Sequence, residues 1–185
     1  ASPNVDAGLD FSVCAGDQVT LTATGNASTY DWYTDVSLIY PINSNPFNTS
    51  NYASGTYPYT FYVQGTSNGC TAIDDVVVSL VNPTTVDAGS YNNVCIGTPV
   101  TLAGTLIGTG TYSWDKNLGD GSFDDNTSLT AVYTPGPNDN NNGNVTLTLE
   151  VDQGQPCGVR SDNTTINFTT SFANNSVAIN PTSPT

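Results

Sequence analysis

The sequence has 185 residues, with 16 acidic residues against two basic ones and no histidine, so its formal net charge is −14. A surface this negative repels phosphate backbones and anionic lipid headgroups, which excludes nucleic acid as a partner. No apolar run approaches the roughly 18–20 residues that a membrane span requires, so we also expect no membrane insertion.

The composition favours strands over helices. The chain contains a single glutamate, a single lysine and a single arginine and no methionine, so strong helix formers are scarce. Valine, threonine, tyrosine and phenylalanine are plentiful, and these residue types are enriched in strands. The sequence therefore predicts an all-β protein.

The first predicted strands occur twice in the chain. The phrase VDAGLDFSVCAGDQVTL at 5–21 returns as VDAGSYNNVCIGTPVTL at 86–102, and each copy is followed by an aromatic stretch that contains a tryptophan. The two tryptophans, Trp32 and Trp114, are predicted to fill a core on the third or fourth strand of each copy. The chain later ends in INPTSPT, so we expect a third copy to begin at this point.

The next strands show the two-residue period of a sheet with one buried face. TYPYTFYVQ at 56–64 and NVTLTLEVD at 144–152 both alternate apolar and polar positions. In the first stretch, this alternation places Tyr57 and Tyr59 in the core. The final strand of each copy is predicted at 72–81 and 159–169.

The repeat period indicates two domains in tandem. A period of 81 residues exceeds the 20–50 residues of a solenoid repeat and suits one small sandwich per copy. Each copy has about seven short strands separated by turn residues, which is typical of an immunoglobulin-like β-sandwich. We therefore predict a first repeat at 1–82 and a second repeat at 83–185, joined by a short extended link near VNPTTVDAG.

The four cysteines predict disulfides and export. Without histidine or a C-x-x-C pair they do not form a zinc or thioredoxin-like pattern, and four cysteines allow three connectivities. Because Cys14 and Cys95 occupy equivalent positions, we predict one bridge within each repeat, Cys14–Cys70 and Cys95–Cys157. Each bridge would stabilise its domain by roughly 4 kcal/mol in the chain-entropy model, and it would persist in an oxidising compartment.

Acidic residues cluster in the second repeat, in the stretch WDKNLGDGSFDDN at 114–126 and in PNDNNNGN at 137–144. Oxygen donors on glycine-containing loops suit calcium, although the EF-hand spacing is absent. A solvated acidic hairpin is the alternative. The candidate calcium ligands are Asp87, Asp115, Asp120, Asp124, Asp125 and Asp139.

Catalysis is not expected. Without histidine, acid and base roles would fall to carboxylates, and the adjacent Asp74 and Asp75 point to opposite faces of a strand. Sugar binding is a separate hypothesis. Tyrosines at 53–62 could form a stacking platform with Trp32 and Tyr33, but strand alternation favours a core position for Tyr57 and Tyr59.

The combined pattern resembles a known family. The stretches VDAGLDFSVCAGDQVTLTATG, YDWY and YTFYVQGTSNGCT, and later YSW, GDGSFDDNTSLTAVYTPGPND and GNVTLTLEV, resemble Ig-like and PKD-like repeats of large surface proteins of Bacteroidetes. Such repeats occur in the gliding motility adhesin of flavobacteria and in similar adhesins exported by the type IX system.

This resemblance implies an extracellular stalk at the bacterial cell surface, used in adhesion, gliding or surface attachment. Its expected partners are neighbouring repeats of the same chain, and polysaccharide or a solid surface as a weak contact. We expect the fragment itself to be monomeric. The alternative is an accessory carbohydrate-binding module beside a secreted enzyme that degrades polysaccharides.

Overall fold

A computed structural model describes residues 1–42, 45–48, 58–92 and 94–170. The chain divides into two compact units. The predicted boundary after residue 82 lies close to the change of unit after Thr84, but two short turns further along the chain also belong to unit 1. Unit 1 comprises Ala1–Thr84, Gly108–Gly110 and Asp152–Val159, and unit 2 comprises Thr85–Ile107, Thr111–Val151 and the residues from Arg160 onward.

Unit 1 is built from strands. Its strands are β1 (Val5–Asp6), β2 (Phe11–Cys14), β3 (Thr20–Leu21), β4 (Thr24–Gly25), β5 (Thr29–Tyr33), β6 (Phe47–Asn48), β7 (Tyr59–Ser67) and β8 (Cys70–Val81). A four-stranded sheet has the order β2-β8-β7-β5, and β1 with β4 and β3 with β6 form two antiparallel pairs. Within the four-stranded sheet, β2 runs parallel to β8 and the other neighbours are antiparallel.

A tight turn sets the register of the long hairpin in this sheet. Asn68 and Gly69 separate β7 from β8, and their φ angles are 51° and 76°. A two-residue hairpin turn that requires positive φ at both positions favours Asn-Gly. The ladder then runs from Ser67 opposite Cys70 to Tyr59 opposite Val78.

The core of unit 1 joins the four-stranded sheet to the two strand pairs. Trp32 is fully buried at its centre. Phe47 of β6 packs against Phe61 of β7, with 5.7 Å between the two ring centroids. Tyr59 is partly buried against this core, while Tyr57 lies outside the described residues. The other buried members are Ala7, Val19, Leu21, Ala23, Val63, Val76 and Val78.

The remaining elements repeat this plan. They are β9 (Thr85–Asp87), β10 (Val94–Cys95), β11 (Val100–Thr101), β12 (Thr105–Ile107), β13 (Thr111–Asp115), β14 (Ser122–Phe123), β15 (Val132–Thr134), α1 (Pro137–Asn142), β16 (Asn144–Asp152) and β17 (Val159–Thr169). The sheets have the orders β10-β17-β16-β13, β11-β15-β14 and β9-β12, and β10 runs parallel to β17. The six-residue helix α1 precedes the β16–β17 hairpin.

The core of unit 2 follows the predicted alternation along β16. The apolar residue at every second position of this strand is buried, and Val145, Leu147 and Leu149 belong to one core cluster with Trp114 of β13 and Tyr133 of β15. This confirms the two-residue period of the sequence as the pattern of a half-buried strand. The buried apolar residues of β16 are Val145, Leu147, Leu149 and Val151, and the polar Thr148 is buried as well.

The repeated VDAG phrase forms the same hydrogen-bonded turn in both repeats. In the first repeat, Asp6 accepts a hydrogen bond from the Gly8 amide at 2.9 Å, and Asp74 of β8 accepts one from the Ala7 amide at 2.7 Å. Gly8 has φ of 90°, a conformation that L side chains rarely adopt. The second repeat has the same two bonds, from Gly89 to Asp87 at 2.8 Å and from Ala88 to Asp162 at 2.9 Å.

The disulfide pairing differs from the predicted one. Cys14 is bonded to Cys157, with 4.8 Å between the Cα atoms, and both residues belong to unit 1. Cys70 and Cys95 are free and exposed. The predicted bridges Cys14–Cys70 and Cys95–Cys157 are therefore wrong.

The strand register explains why a bridge within one repeat cannot form. Cys14 lies opposite Val81, the last residue of β8, whereas Cys70 is the first residue of the same strand. Eleven residues of extended strand span about 36 Å, and bonded cysteines require Cα atoms within about 7 Å. The same geometry separates Cys95, opposite Thr169, from the turn ahead of β17.

Peptide mapping without reduction tests this pairing. Proteolysis of the unreduced chain should release one linked pair of peptides that contains Cys14 and Cys157, because only these sulfurs are bonded. Cys70 and Cys95 should be alkylated completely before reduction, since both are exposed. Recovery of a Cys14–Cys70 or Cys95–Cys157 peptide would contradict the register described above.

Candidate functional site

The acidic region of unit 2 centres on one buried carboxylate. Asp139, on α1, is 3% exposed and accepts hydrogen bonds from the Tyr133 hydroxyl at 2.6 Å and from the Gly121 amide at 3.1 Å. The Gly136 amide at 3.0 Å and the Asp120 amide at 3.2 Å complete its partners. Four donors satisfy its two oxygens, so Asp139 connects the β13–β14 loop, β15 and the start of α1.

The glycines of the GDG stretch make this arrangement possible. A Cβ atom on Gly121 would lie 2.5 Å from the Tyr133 hydroxyl oxygen, and one on Gly119 would lie 2.8 Å from the same atom. Contacts below 3.0 Å are essentially never seen for real Cβ atoms. The two glycines therefore serve close packing around the buried hydrogen bonds.

Asp120 completes a reciprocal pair with the start of α1. Its carboxylate accepts the Asn138 amide at 3.0 Å and the Asp139 amide at 3.1 Å, while its own amide donates to Asp139. The hydrogen bond from the Asn138 amide is the main cause of a lowered pKa for the Asp120 carboxyl. The two carboxylates are neighbours, and both are occupied by donors of the protein.

Two adjacent acids, Asp124 and Asp125, order the next loop. Asp124 accepts the Val132 amide at 2.7 Å, and Asp125 accepts the Thr127 amide at 2.9 Å. The Thr127 hydroxyl also donates to Asp125 at 2.7 Å, and this bond is the main cause of a lowered pKa for the Asp125 carboxyl. Asp115 accepts the amide of Asn117 in the same manner.

The six candidate calcium ligands thus accept backbone or hydroxyl hydrogen bonds. Asp120 and Asp139 are brought together, while Asp87 holds the Gly89 turn described above. Within the described ranges, no three carboxylates or cysteines form a group that could hold a metal ion. The arrangement is that of an acidic loop ordered by its own donors.

Tyr133 was missed by the sequence analysis. It is fully buried, packs against Phe123 with ring centroids 5.1 Å apart, and donates to Asp139. Burial is the main cause of a raised pKa for its hydroxyl, and the neighbouring carboxylate adds to this effect. The only feature of the sequence that could have indicated this hydrogen bond is the spacing of Tyr133 and Asp139. They lie six residues apart, on either side of a Pro-Gly-Pro turn.

A polar groove of about 540 Å³ lies beside this region. The Asn117 side-chain amide donates to the Thr146 carbonyl at 3.0 Å and to the Thr148 hydroxyl at 2.9 Å. The Thr148 hydroxyl in turn donates to Asn163 at 2.6 Å. These amides and hydroxyls satisfy one another across β16 and β17, and the fully exposed Leu118 lies at the edge of the groove.

Trp32 lies in the core as predicted, and the alternative, a sugar platform that includes Trp32 and Tyr33, does not form. Both side chains are buried in unit 1, so neither offers a face on which a pyranose ring could stack. Burial is also the main cause of a raised pKa for the Tyr33 hydroxyl. The tyrosines at 52 and 57 lie outside the described residues.

The adjacent carboxylates of β8 have separate environments. Asp74 lies opposite Val63 and accepts the Ala7 amide, whereas Asp75 lies opposite Tyr62. Successive residues of a strand point to opposite faces, so the two carboxylates do not form an acid–base pair.

None of the helices within the described ranges is long and apolar enough to cross a membrane.

Comparison with known families supports the same architecture. Residues 1–83 match the family model for the Ig-like domain described as CHU_C associated. The fold is immunoglobulin-like. Each unit of this Ig-like chain contains a four-stranded sheet with a parallel outer strand, together with smaller sheets of two or three strands. The match agrees with the Ig-like part of the resemblance drawn from the sequence.

Solved structures with a similar arrangement are distant. They include extracellular domains 3–5 of Drosophila OTK (12% identity, TM-score 0.46) and immunoglobulin domains 1–5 of Sidekick-1 (14%, 0.43). An I-band fragment from titin is a third (14%, 0.42). Each covers 91% of this chain, which spans 60%, 39% and 66% of their respective lengths. The search of curated proteins finds no match.

Removing the Asp139 carboxylate should destabilise the chain. We expect Asp139→Ala to lower the free energy of unfolding by about 3 kcal/mol, because buried donors lose their acceptor. Tyr133→Phe removes one of these bonds and should reduce it by about 1 kcal/mol. Urea denaturation followed by circular dichroism measures both values. The exposed Asp115→Ala is the matched control, and an equal loss in that variant would contradict a special role for Asp139.

Calcium and chelator should leave the thermal stability unchanged. A cation bound at a hundredfold excess over its Kd would stabilise the fold by about 2.7 kcal/mol, which corresponds to several degrees in Tm. Because the acidic side chains already accept protein donors, we expect Tm values in EDTA and in millimolar calcium to agree within about 1 °C. A rise of several degrees with calcium, absent with magnesium, would support the calcium-site hypothesis instead.

Proposed function

We propose that this chain is a force-transmitting spacer in a secreted bacterial cell-surface adhesin, of a kind used in surface attachment or gliding. The observation that carries the proposal is the Cys14–Cys157 bond, which links residues 143 positions apart. The match of residues 1–83 to an Ig-like family supports the structural part of the proposal.

The position of the bond determines which residues bear a pulling force. Force applied at the two ends passes along residues 1–14, crosses the disulfide and leaves along 157–185. The 142 residues between the cysteines lie outside this covalent path, so they cannot be extended while the bond is intact. A chain connected in this way resists extension even if one of its cores opens.

The same bond opposes unfolding without force. Closing a loop of this length restricts the unfolded chain, and the chain-entropy model gives about 5 kcal/mol of stabilisation. This is a large fraction of the usual net stability of a domain. The bond therefore adds resistance to proteolysis as well as to extension, since both require opening of the folded state.

Charge and compartment agree with a spacer outside the cell. A net charge of −14 keeps copies of the chain apart and in solution. Disulfides persist in oxidising environments, which is where a surface filament operates. In this proposal, contact with polysaccharide or a solid surface belongs to the adhesin as a whole.

The alternative function, an accessory carbohydrate-binding module, has no comparable support. Two of the aromatic residues considered for sugar stacking are buried in unit 1, namely Trp32 and Tyr33. The polar groove near Asn117 satisfies its own amides and hydroxyls through internal hydrogen bonds. The spacer function is therefore the better conclusion.

Single-molecule pulling tests the spacer function. With handles at both ends, the oxidised chain should extend only through the residues outside the loop. Reduction should add about 50 nm of contour length on complete unfolding, since 142 residues are released at about 3.5 Å each. Cys14→Ser should show the longer extension without reductant, whereas Cys70→Ser should behave as the wild type. An oxidised wild-type chain that extends as far as Cys14→Ser would refute shielding, which here means that the disulfide prevents extension of the residues between Cys14 and Cys157.

A further inference from the structure

Two cysteines have no partner within the chain. All four cysteines lie in the described ranges, and Cys70 and Cys95 are free and exposed, while Cys14 and Cys157 are almost completely buried by their bond. Free, exposed thiols are unusual in a chain that already carries a structural disulfide, and an unpaired cysteine in a secreted protein indicates pairing with another molecule. The two thiols have a structural relation to the bonded pair.

Cys95 occupies the same backbone position as Cys14. Each cysteine ends a short strand that runs parallel to the final strand of its repeat, Cys14 opposite Val81 and Cys95 opposite Thr169. Each is followed by a glycine with positive φ. The hydrogen bonds around them also correspond: Asp17 N to Cys14 O at 3.0 Å and Thr98 N to Cys95 O at 3.1 Å, Ala15 N to Val81 O at 2.8 Å and Ile96 N to Thr169 O at 3.2 Å.

Cys70 occupies the hairpin position of Cys157. Cys70 follows the turn between the two longest strands of unit 1, β7 and β8, and Cys157 lies in the turn between β16 and β17. The first turn has two residues and the second has six, so Cys70 begins its strand and Cys157 lies two residues ahead of one. In both repeats the cysteine is presented at the same end of the final hairpin.

The observed bond therefore joins non-equivalent positions of two successive repeats. The strand-end cysteine of the first repeat, Cys14, is bonded to the hairpin cysteine of the second, Cys157. We propose that Cys95 and Cys70 continue this pattern, so that Cys95 bonds to the hairpin cysteine of a following Ig-like repeat and Cys70 to the strand-end cysteine of a preceding one. A second copy of this chain supplies both partners, through a Cys95–Cys70 bond between copies.

The bond forms by thiol–disulfide exchange with a disulfide oxidant such as oxidised glutathione. The Cys95 thiolate attacks one glutathione sulfur, forms a mixed disulfide and releases one glutathione thiolate. The Cys70 thiolate of the second copy then attacks the Cys95 sulfur and releases the second glutathione thiolate. Two protein thiols are oxidised, one glutathione disulfide is reduced, and the two protons given up by the protein thiols protonate the two glutathione thiolates.

This inference names the partner of the proposed spacer and rests on its tandem-repeat character. It concerns different sulfur atoms from those that shield the chain in the pulling experiment. Failure of a bond between copies would leave the extension of the oxidised chain unchanged. Failure of the shielding would leave Cys70 and Cys95 free to link copies, so the two outcomes are distinguishable.

A mixing experiment with two variants tests the pairing. Cys70→Ser keeps only the Cys95 thiol and Cys95→Ser keeps only the Cys70 thiol, and both retain the Cys14–Cys157 bond. One variant carries a size tag, and the two are mixed at high concentration in a buffer of reduced and oxidised glutathione. Gel electrophoresis without reductant and mass spectrometry of the linked peptides identify each dimer. Unchanged circular dichroism confirms that the exposed substitutions leave the fold intact.

Specific pairing should favour the mixed dimer. We expect Cys95–Cys70 heterodimers in about tenfold excess over either homodimer, and a ladder of linear oligomers from the wild-type chain under the same conditions. Random oxidation would give heterodimers at only twice the amount of either homodimer. That ratio, an absence of dimers, or a Cys70–Cys95 bond within one wild-type chain would each overturn the proposal.

Discussion

The parallel pairing of a short early strand with the final strand is the constraint on which the chemistry of this chain depends. Because β2 runs parallel to β8, Cys14 lies beside the end of the final strand, and the whole length of that strand separates it from Cys70. The register thus removes the bridge within a repeat and leaves the bond to Cys157 as the one that forms.

Hydrogen bonding plays the organising role in the acidic loops. Asp139 is buried and surrounded by donors from three different segments, and Asp120 accepts amides from the start of α1 while its own amide donates back. A buried carboxylate is stable when charge-assisted hydrogen bonds satisfy its oxygens. The glycines on either side of Asp120 are required because any side chain there would collide with Tyr133. Carboxylates serve here as anchors of loop structure.

Much of the fold was predictable because its signals are local. The two-residue alternation of β16, the absence of helix formers and the Asn-Gly turn between β7 and β8 each act over a few residues. The sequence also showed which loops carry the carboxylates, but it did not show what these carboxylates bind. Whether Asp120 and Asp139 hold a cation or an amide depends on donors from other segments. The sequence places Tyr133 and Gly136 nearby along the chain without showing where their donors point.

The sequence alone determined the strand-rich composition, the repeat at 5–21 and 86–102 and the Ig-like architecture, since these follow from residue type and short-range spacing. It also identified Cys14 with Cys95 and Cys70 with Cys157 as equivalent pairs. Only the tertiary structure decided which of these sulfurs meet. Disulfide formation depends on distances between Cα atoms, and those distances are set by the direction and register of strands far apart in the chain.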